Sequence, residues 1–140
     1  MKNKNNLIEI SNLYEALKRA PFDAVVGIRI VLLTGTEMFS LFGAEIAPGK
    51  RVGAHYHTKG SEIYQIIEGE GIMLLGKRHG ERVIWDEPFN VSRGDCFTVD
   101  EGLIHQLINT VNEPLRVIFG CARSHLSEDR IVVDGFEGEI

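Results

Sequence analysis

A chain of 140 residues, 44% hydrophobic and 25% charged, holds one globular core and leaves little room for a second. Its formal net charge of −5, with Lys and Arg scattered along the chain, excludes the concentrated basic face that a nucleic-acid backbone requires. No apolar run reaches the ~20 residues that span a bilayer, and no basic amphipathic helix marks membrane attachment.

The opening residues Met1-Lys2-Asn3-Lys4-Asn5-Asn6 lack the apolar segment and cleavage site of a secretory signal. Cys96 and Cys121 have no close pairing motif, so they are expected to be buried thiols in a reducing, cytoplasmic setting. Asn12, with Glu15 three residues later, is a loose capping box. Leu13, Leu17 and Ala20 then share one face of a short helix that Pro21 stops, and this helix is expected to seal one end of the domain.

From residue 25 the pattern turns to strands. Residues 25–33 and 39–47 are followed by Gly35 and by Pro48-Gly49, and shorter runs lie at 63–67, 72–75, 82–85, 96–99, 106–109 and 115–119. Turn signals separate them at Gly69-Glu70-Gly71, residues 76–80, Arg93-Gly94-Asp95, Asp100-Glu101-Gly102 and Asn112-Glu113-Pro114. Ile131-Val132-Val133 would add a last strand. Many short strands with regular turns mean an all-β sandwich or barrel. The expected organisation is one domain: residues 1–24 a helix and arm, 25–122 the barrel, and 123–140 a polar tail.

His55 and His57 stand two apart in an extended segment, so both imidazoles leave the same face. After a turn of small and polar residues, Glu62 opens the next strand, where an antiparallel return would carry its carboxylate back toward the histidines. His105 follows the turn at Asp100-Glu101-Gly102, and a strand closing beside the first pair would bring three imidazoles and one carboxylate together. Nitrogen and oxygen donors without thiolate favour one divalent transition metal ion (Fe, Mn, Ni, Co, Cu or Zn) over a structural sulfur site. His79 and His125 are read as ordinary packed or solvated histidines.

The glycine frame around these residues carries a resemblance. Gly49, His55, Tyr56, His57, Glu62 and Gly69 match every fixed position of the first motif of the cupin superfamily. Gly94, Asp100, Gly102, His105 and Asn109 resemble the second motif, with Asp100 where that motif has proline. The resemblance covers about residues 39–121. It implies a double-stranded β-helix, or jelly-roll, barrel holding a metal at His55, His57, Glu62 and His105. Within the superfamily that ligand set serves dioxygenases, isomerases, decarboxylases and lyases as well as binding proteins. The expectation is a metal-dependent enzyme acting on a small oxygenated substrate, with a metal-dependent binding or sensing module as the alternative. Many single-barrel cupins pair through sheet edges and terminal arms, so a homodimer is expected.

Alternation along the strands selects the neighbours of the metal. Tyr64 and Ile66 share the parity of Glu62, and Leu107 and Asn109 that of His105. Tyr64 is the candidate catalytic side chain, a hydroxyl beside the metal or against the substrate, its other reading being an aromatic core residue with a satisfied hydroxyl. Asn109 is read as tying down backbone at a strand end, and Glu45 as a solvated carboxylate. Phe97, Val99 and Leu103 are expected to wall the cavity, and the inward set of strand 39–47 stays open between its two parities.

Overall fold

The computed structural model describes residues 3–4 and 8–139. β1 (Asn3–Lys4) and β2 (Glu9–Ile10) form a short antiparallel ladder ahead of the barrel. Asn12 then caps α1 (Leu13–Leu17), its side-chain oxygen accepting the backbone N–H groups of Tyr14 at 3.0 Å and Glu15 at 3.2 Å. Leu17 and Ala20 are buried. The helix does not plug the end of the barrel. It lies on the outer face of a sheet, where a Cβ at Gly43 would stand 2.5 Å from Leu13 Cδ1, so the missing side chain is the helix's seat.

Two sheets follow, paired antiparallel throughout. One runs in the order β11 (Cys96–Val99), β7 (Glu62–Glu68), β13 (Leu115–Cys121), β5 (Ser40–Ile46), β4 (Ile28–Gly35) and β3 (Phe22–Asp23). The other runs β10 (Phe89–Ser92), β8 (Glu70–His79), β12 (Ile104–Asn109), β6 (His55–Tyr56) and β14 (Ile131–Val132), with β9 (Arg82–Trp85) also paired to β8. Side chains alternate across each strand, so every second residue enters the space between the sheets. On β5 the inward set is Phe42, Ala44 and Ile46, all buried, and Glu45 points outward to Arg116 at 2.8 Å.

An aromatic ladder crosses four strands of the first sheet. Phe42 stacks on Phe119 at 5.3 Å between ring centres, Phe119 on Tyr64 at 5.5 Å, and Tyr64 on Phe97 at 5.3 Å. These residues face one another in register across β5, β13, β7 and β11, so the pairing of the strands and the packing of the core specify the same alignment.

Several expected boundaries move. The strand expected from residue 25 begins at Ile28, because residues before it turn: Gly27 donates to the Asp23 carbonyl at 2.7 Å with φ of +77°. The turn expected over residues 76–80 shrinks to its last residue, Gly80, with φ of +67°. β8 continues through Gly76 to His79, and Gly76 is bare because the Trp85 ring and Val83 of β9 lie over it. Residues 89–92, which carry no strong alternation, are nevertheless a strand edge on β8. Cys121 is buried as expected, but Cys96 is exposed on β11. The turn at Asp100 forms without the motif's proline: Leu103 donates to the Asp100 carbonyl at 3.1 Å, and Gly102 takes φ of +80°.

Candidate metal centre

The four expected ligands converge, by a route that differs in part from a simple hairpin. β6 and β12 lie side by side with His55 directly opposite His105. His57 follows β6 in the turn. Glu62, however, starts β7 in the facing sheet, so its carboxylate arrives across the barrel and not along a hairpin return. The site therefore bridges the two sheets. All four residues are buried, at 2–6% exposure. Glu62 Oε2 lies 3.1 Å from His57 Nε2, and Oε1 lies 3.5 Å from His105 Nε2. The donor atoms of His55, His57 and His105 form a group within 4.8 Å of one another.

Backbone carbonyls fix which nitrogen of each ring is free. His55 Nδ1 donates to the Gly53 carbonyl at 2.7 Å, His57 Nδ1 to Asp129 at 2.6 Å, and His105 Nδ1 to Leu103 at 3.0 Å. With the proton held on Nδ1, each Nε2 turns a lone pair inward. Nε2 of His57 and of His105 has no hydrogen-bond partner and is buried. Buried lone pairs facing a carboxylate repel unless a cation or a shared proton stands among them, and an orphaned buried polar atom is otherwise costly. The residues present thus fit a divalent cation.

The electrostatics agree. Burial, and then the neighbouring His105, lower the pKa of His55 to about 3, so its ring is neutral and able to ligate at neutral pH. Burial alone would raise Glu62, but the imidazoles of His105, His125 and His57 around its oxygens hold it well below the usual carboxylate range. Burial and the charge of Glu62 push Tyr64 well above the usual phenol range. Burial and Glu62 likewise keep the Cys121 thiol protonated.

Tyr64 does lie at the site, with its hydroxyl donating to Glu62 Oε1 at 3.1 Å. That hydroxyl is committed to Glu62, and its raised pKa makes it a weak proton donor. Asn109 behaves as a backbone tie, its amide nitrogen donating to the carbonyls of Ile46 at 3.0 Å and Glu113 at 2.7 Å. Phe97, Val99 and Leu103 pack in or against the core but do not wall the cavity. Its apolar walls include Val26, Ile28, Ala44, Ile46, Leu107 and Phe119, and Arg130 also borders it. The cavity has a volume of about 30 Å³, room for about one or two waters.

His125 is the residue that sequence reasoning missed. It is 1% exposed, and its Nδ1 lies 2.8 Å from Glu62 Oε2. Its Nε2 meets the Lys59 carbonyl at 2.6 Å, and its ring stacks parallel to His57 at 4.0 Å between centres. It forms a second potential donor group with His57 and Glu62. Burial works against its protonation, but the bond to Glu62 and that to the Lys59 carbonyl outweigh it and raise its pKa. Nothing in its spacing advertised this, since 63 residues separate it from Glu62. The one local signal was Leu126, an apolar residue in a polar tail that packs against the core. His79, by contrast, is exposed on β8.

No helix among the described residues is long and apolar enough to cross a membrane. The family model described as "Cupin domain" matches residues 43–121, more than half of the chain. An uncharacterised protein of Methanocaldococcus jannaschii is 28% identical over 95 residues, which cover 68% of this chain and 69% of that protein. A probable germin-like protein of Arabidopsis thaliana is 30% identical over 96 residues, 67% of this chain but only 43% of the relative, so the chain spans less than half of that protein. Among solved structures, a double-stranded β-helix protein of unknown function from Klebsiella pneumoniae superposes with a TM-score of 0.67 at 15% identity, over 94% of this chain and 100% of the other. The oxalate decarboxylase of Bacillus subtilis, described with Mn(II) centres, superposes with a TM-score of 0.63 at 18% identity, over 84% of this chain and 30% of that one. By the family match and by its jelly-roll architecture, the chain belongs to the cupin superfamily.

Proposed function

We propose that the chain binds one divalent transition metal ion through His55, His57, Glu62 and His105 and acts with it as an enzyme on a small oxygenated substrate, in a reaction of the dioxygenase, isomerase or lyase kind. The observation that carries this reading is the set of buried, inward-turned lone pairs, with the Nε2 atoms of His57 and His105 unpartnered beside a carboxylate. Nitrogen and oxygen donors of this kind suit Mn, Fe, Co, Ni or Zn. The Mn(II) centres of the structurally similar oxalate decarboxylase support a metal in such a barrel. A bound ion would supply Lewis-acid polarisation of a carboxylate, carbonyl or hydroxyl oxygen.

The chain's own residues do the rest. The carbonyls of Gly53, Asp129 and Leu103 hold the three rings in the ligating tautomer. Tyr64 and His125 each occupy one oxygen of Glu62 and so orient its carboxylate. The largely apolar walls limit the access of bulk water to the donor atoms.

The test combines metal content with turnover. Wild-type protein reconstituted with each ion is assayed, with oxygen uptake recorded, against small diols, hydroxy acids and keto acids. Oxygen consumption with iron would assign a dioxygenase, and conversion without it an isomerase or lyase. Ligand binding with no turnover for any ion would refute the enzymatic reading and leave a binding module. His57→Ala should lose tight metal binding while keeping a cooperative thermal melt, because its ring takes part in no strand pairing. Unchanged metal content in that variant would remove His57 from the ligand set.

A further inference from the structure

We infer that the segment following the last barrel strand, residues 122–132, is an integral part of the metal centre, with His125 and Asp129 as positioning residues for Glu62 and His57. The inference rests on the metal-binding reading above. The family match ends at residue 121, so this segment lies beyond what family membership supplies.

The contrast among the three histidines is the first observation. His55 and His105 each donate Nδ1 to a carbonyl two residues back on their own segment, Gly53 and Leu103. His57 does not; its acceptor is the carbonyl of Asp129, 72 residues away. Glu62 is held from the same segment, since His125 Nδ1 lies 2.8 Å from its Oε2. Of the four ligating side chains, two are therefore set by their own strands and two by the tail.

The segment is fastened where these contacts need it. The Asp129 carboxylate accepts from Thr58 N and Oγ1, both at 2.8 Å, and from Lys59 N at 3.1 Å, fixing the turn that carries His57. Arg130 forks onto Asp23 at 2.8 and 3.2 Å. Val132 pairs with His55 itself, in β14. His125 is lodged between Glu62 and the Lys59 carbonyl, flat against His57. A residue filling space alone would need neither polar contact.

Removal of such an outer contact to a ligand characteristically weakens metal affinity by ~10–100-fold. The experiment measures, on metal-stripped protein, the dissociation constants for Mn(II) and Co(II), with the Mn(II) electron paramagnetic resonance and Co(II) visible spectra at saturation. His125→Ala, which removes the contact to Glu62, should weaken binding within that range and change the spectra, and His125→Gln, whose amide can still donate to Glu62, should recover part of the loss. Asp129→Ala, which keeps the carbonyl to His57 but frees the turn at Thr58 and Lys59, should weaken binding by a smaller factor and also change the spectra. Wild-type affinity and spectra in folded variants would overturn the inference. Should the variants fail to fold, hydrogen exchange of the wild-type chain decides it: metal should slow exchange across residues 123–132, and an unaffected segment would overturn the proposal. A wild-type chain that takes up no ion would instead overturn the metal reading, and this inference with it.

Discussion

At the scale of single residues, the site places ionisable groups where water cannot reach them, and each answers that cost differently. His55 remains neutral: its pKa falls from 6.5 to about 3, chiefly by burial. Glu62 remains charged, because the surrounding imidazoles reverse the effect of burial. Both shifts act in one direction on stability. As pH falls below 6.5 the unfolded chain protonates His55, whereas the folded chain does not until about 3. The stability His55 contributes is therefore full above 6.5 and is lost as pH falls from there toward 3. Glu62, lowered below 4.5, adds a second loss under that value. The melting temperature of the metal-free protein should decline across this window, and His55→Asn should flatten the upper part of the slope, between 6.5 and 4.5. An identical slope in the variant would contradict the assignment. The roles of His55, His57, Glu62 and His105 as neighbours were legible because spacing and a glycine frame encode them locally. That of His125 was not, because its partnership with Glu62 is made only by the closing of the tail.

At the scale of elements, glycines do two different jobs that look alike in a sequence. Gly69, Gly94 and Gly102 have φ between +80° and +93° and make turns, as their surroundings suggest. Gly43, Gly71 and Gly76 instead sit inside strands as bare spots under Leu13, against the Ile108 carbonyl and under Trp85. Reading Gly76 as a turn followed from treating both kinds alike; which glycine is a seat depends on what packs over it. Gly71 offers a direct check. A Cβ there would collide with the backbone carbonyl of Ile108 on β12, which cannot rotate away as a side chain does. Gly71→Ala should destabilise the fold by ~1–3 kcal/mol in chemical denaturation, and a loss much below 1 kcal/mol would show that β8 and β12 are less tightly joined than this register implies. The outcome of β7 is similar in kind: its existence was legible from alternation, but its assignment to the sheet facing β6 was not, since pairing partners are a property of the assembled barrel.

At the scale of the whole molecule, the two sheets share one small interior, and the candidate metal centre lies where they face each other. Three ligands come from the β6 and β12 side and one from β7, so the cation would tie the sheets together as well as serve the chemistry. The all-β jelly roll was legible because short apolar runs and turn signals recur through the chain and both motifs keep their spacing. The tail lies outside the resemblance, and of its contributions only the last strand, β14, was expected; the carbonyl that orients His57 and the ring that holds Glu62 come from it as well. A cation bound only by the folded state must raise its stability in step with concentration over affinity. The most direct measurement is therefore a calorimetric titration of chelator-stripped wild-type protein with Mn(II), Co(II) and Zn(II), followed by thermal melts with and without the ion. The account predicts saturation at one ion per chain for at least one of these metals, accompanied by a rise in melting temperature. Absence of saturable binding to folded protein for all three would contradict it.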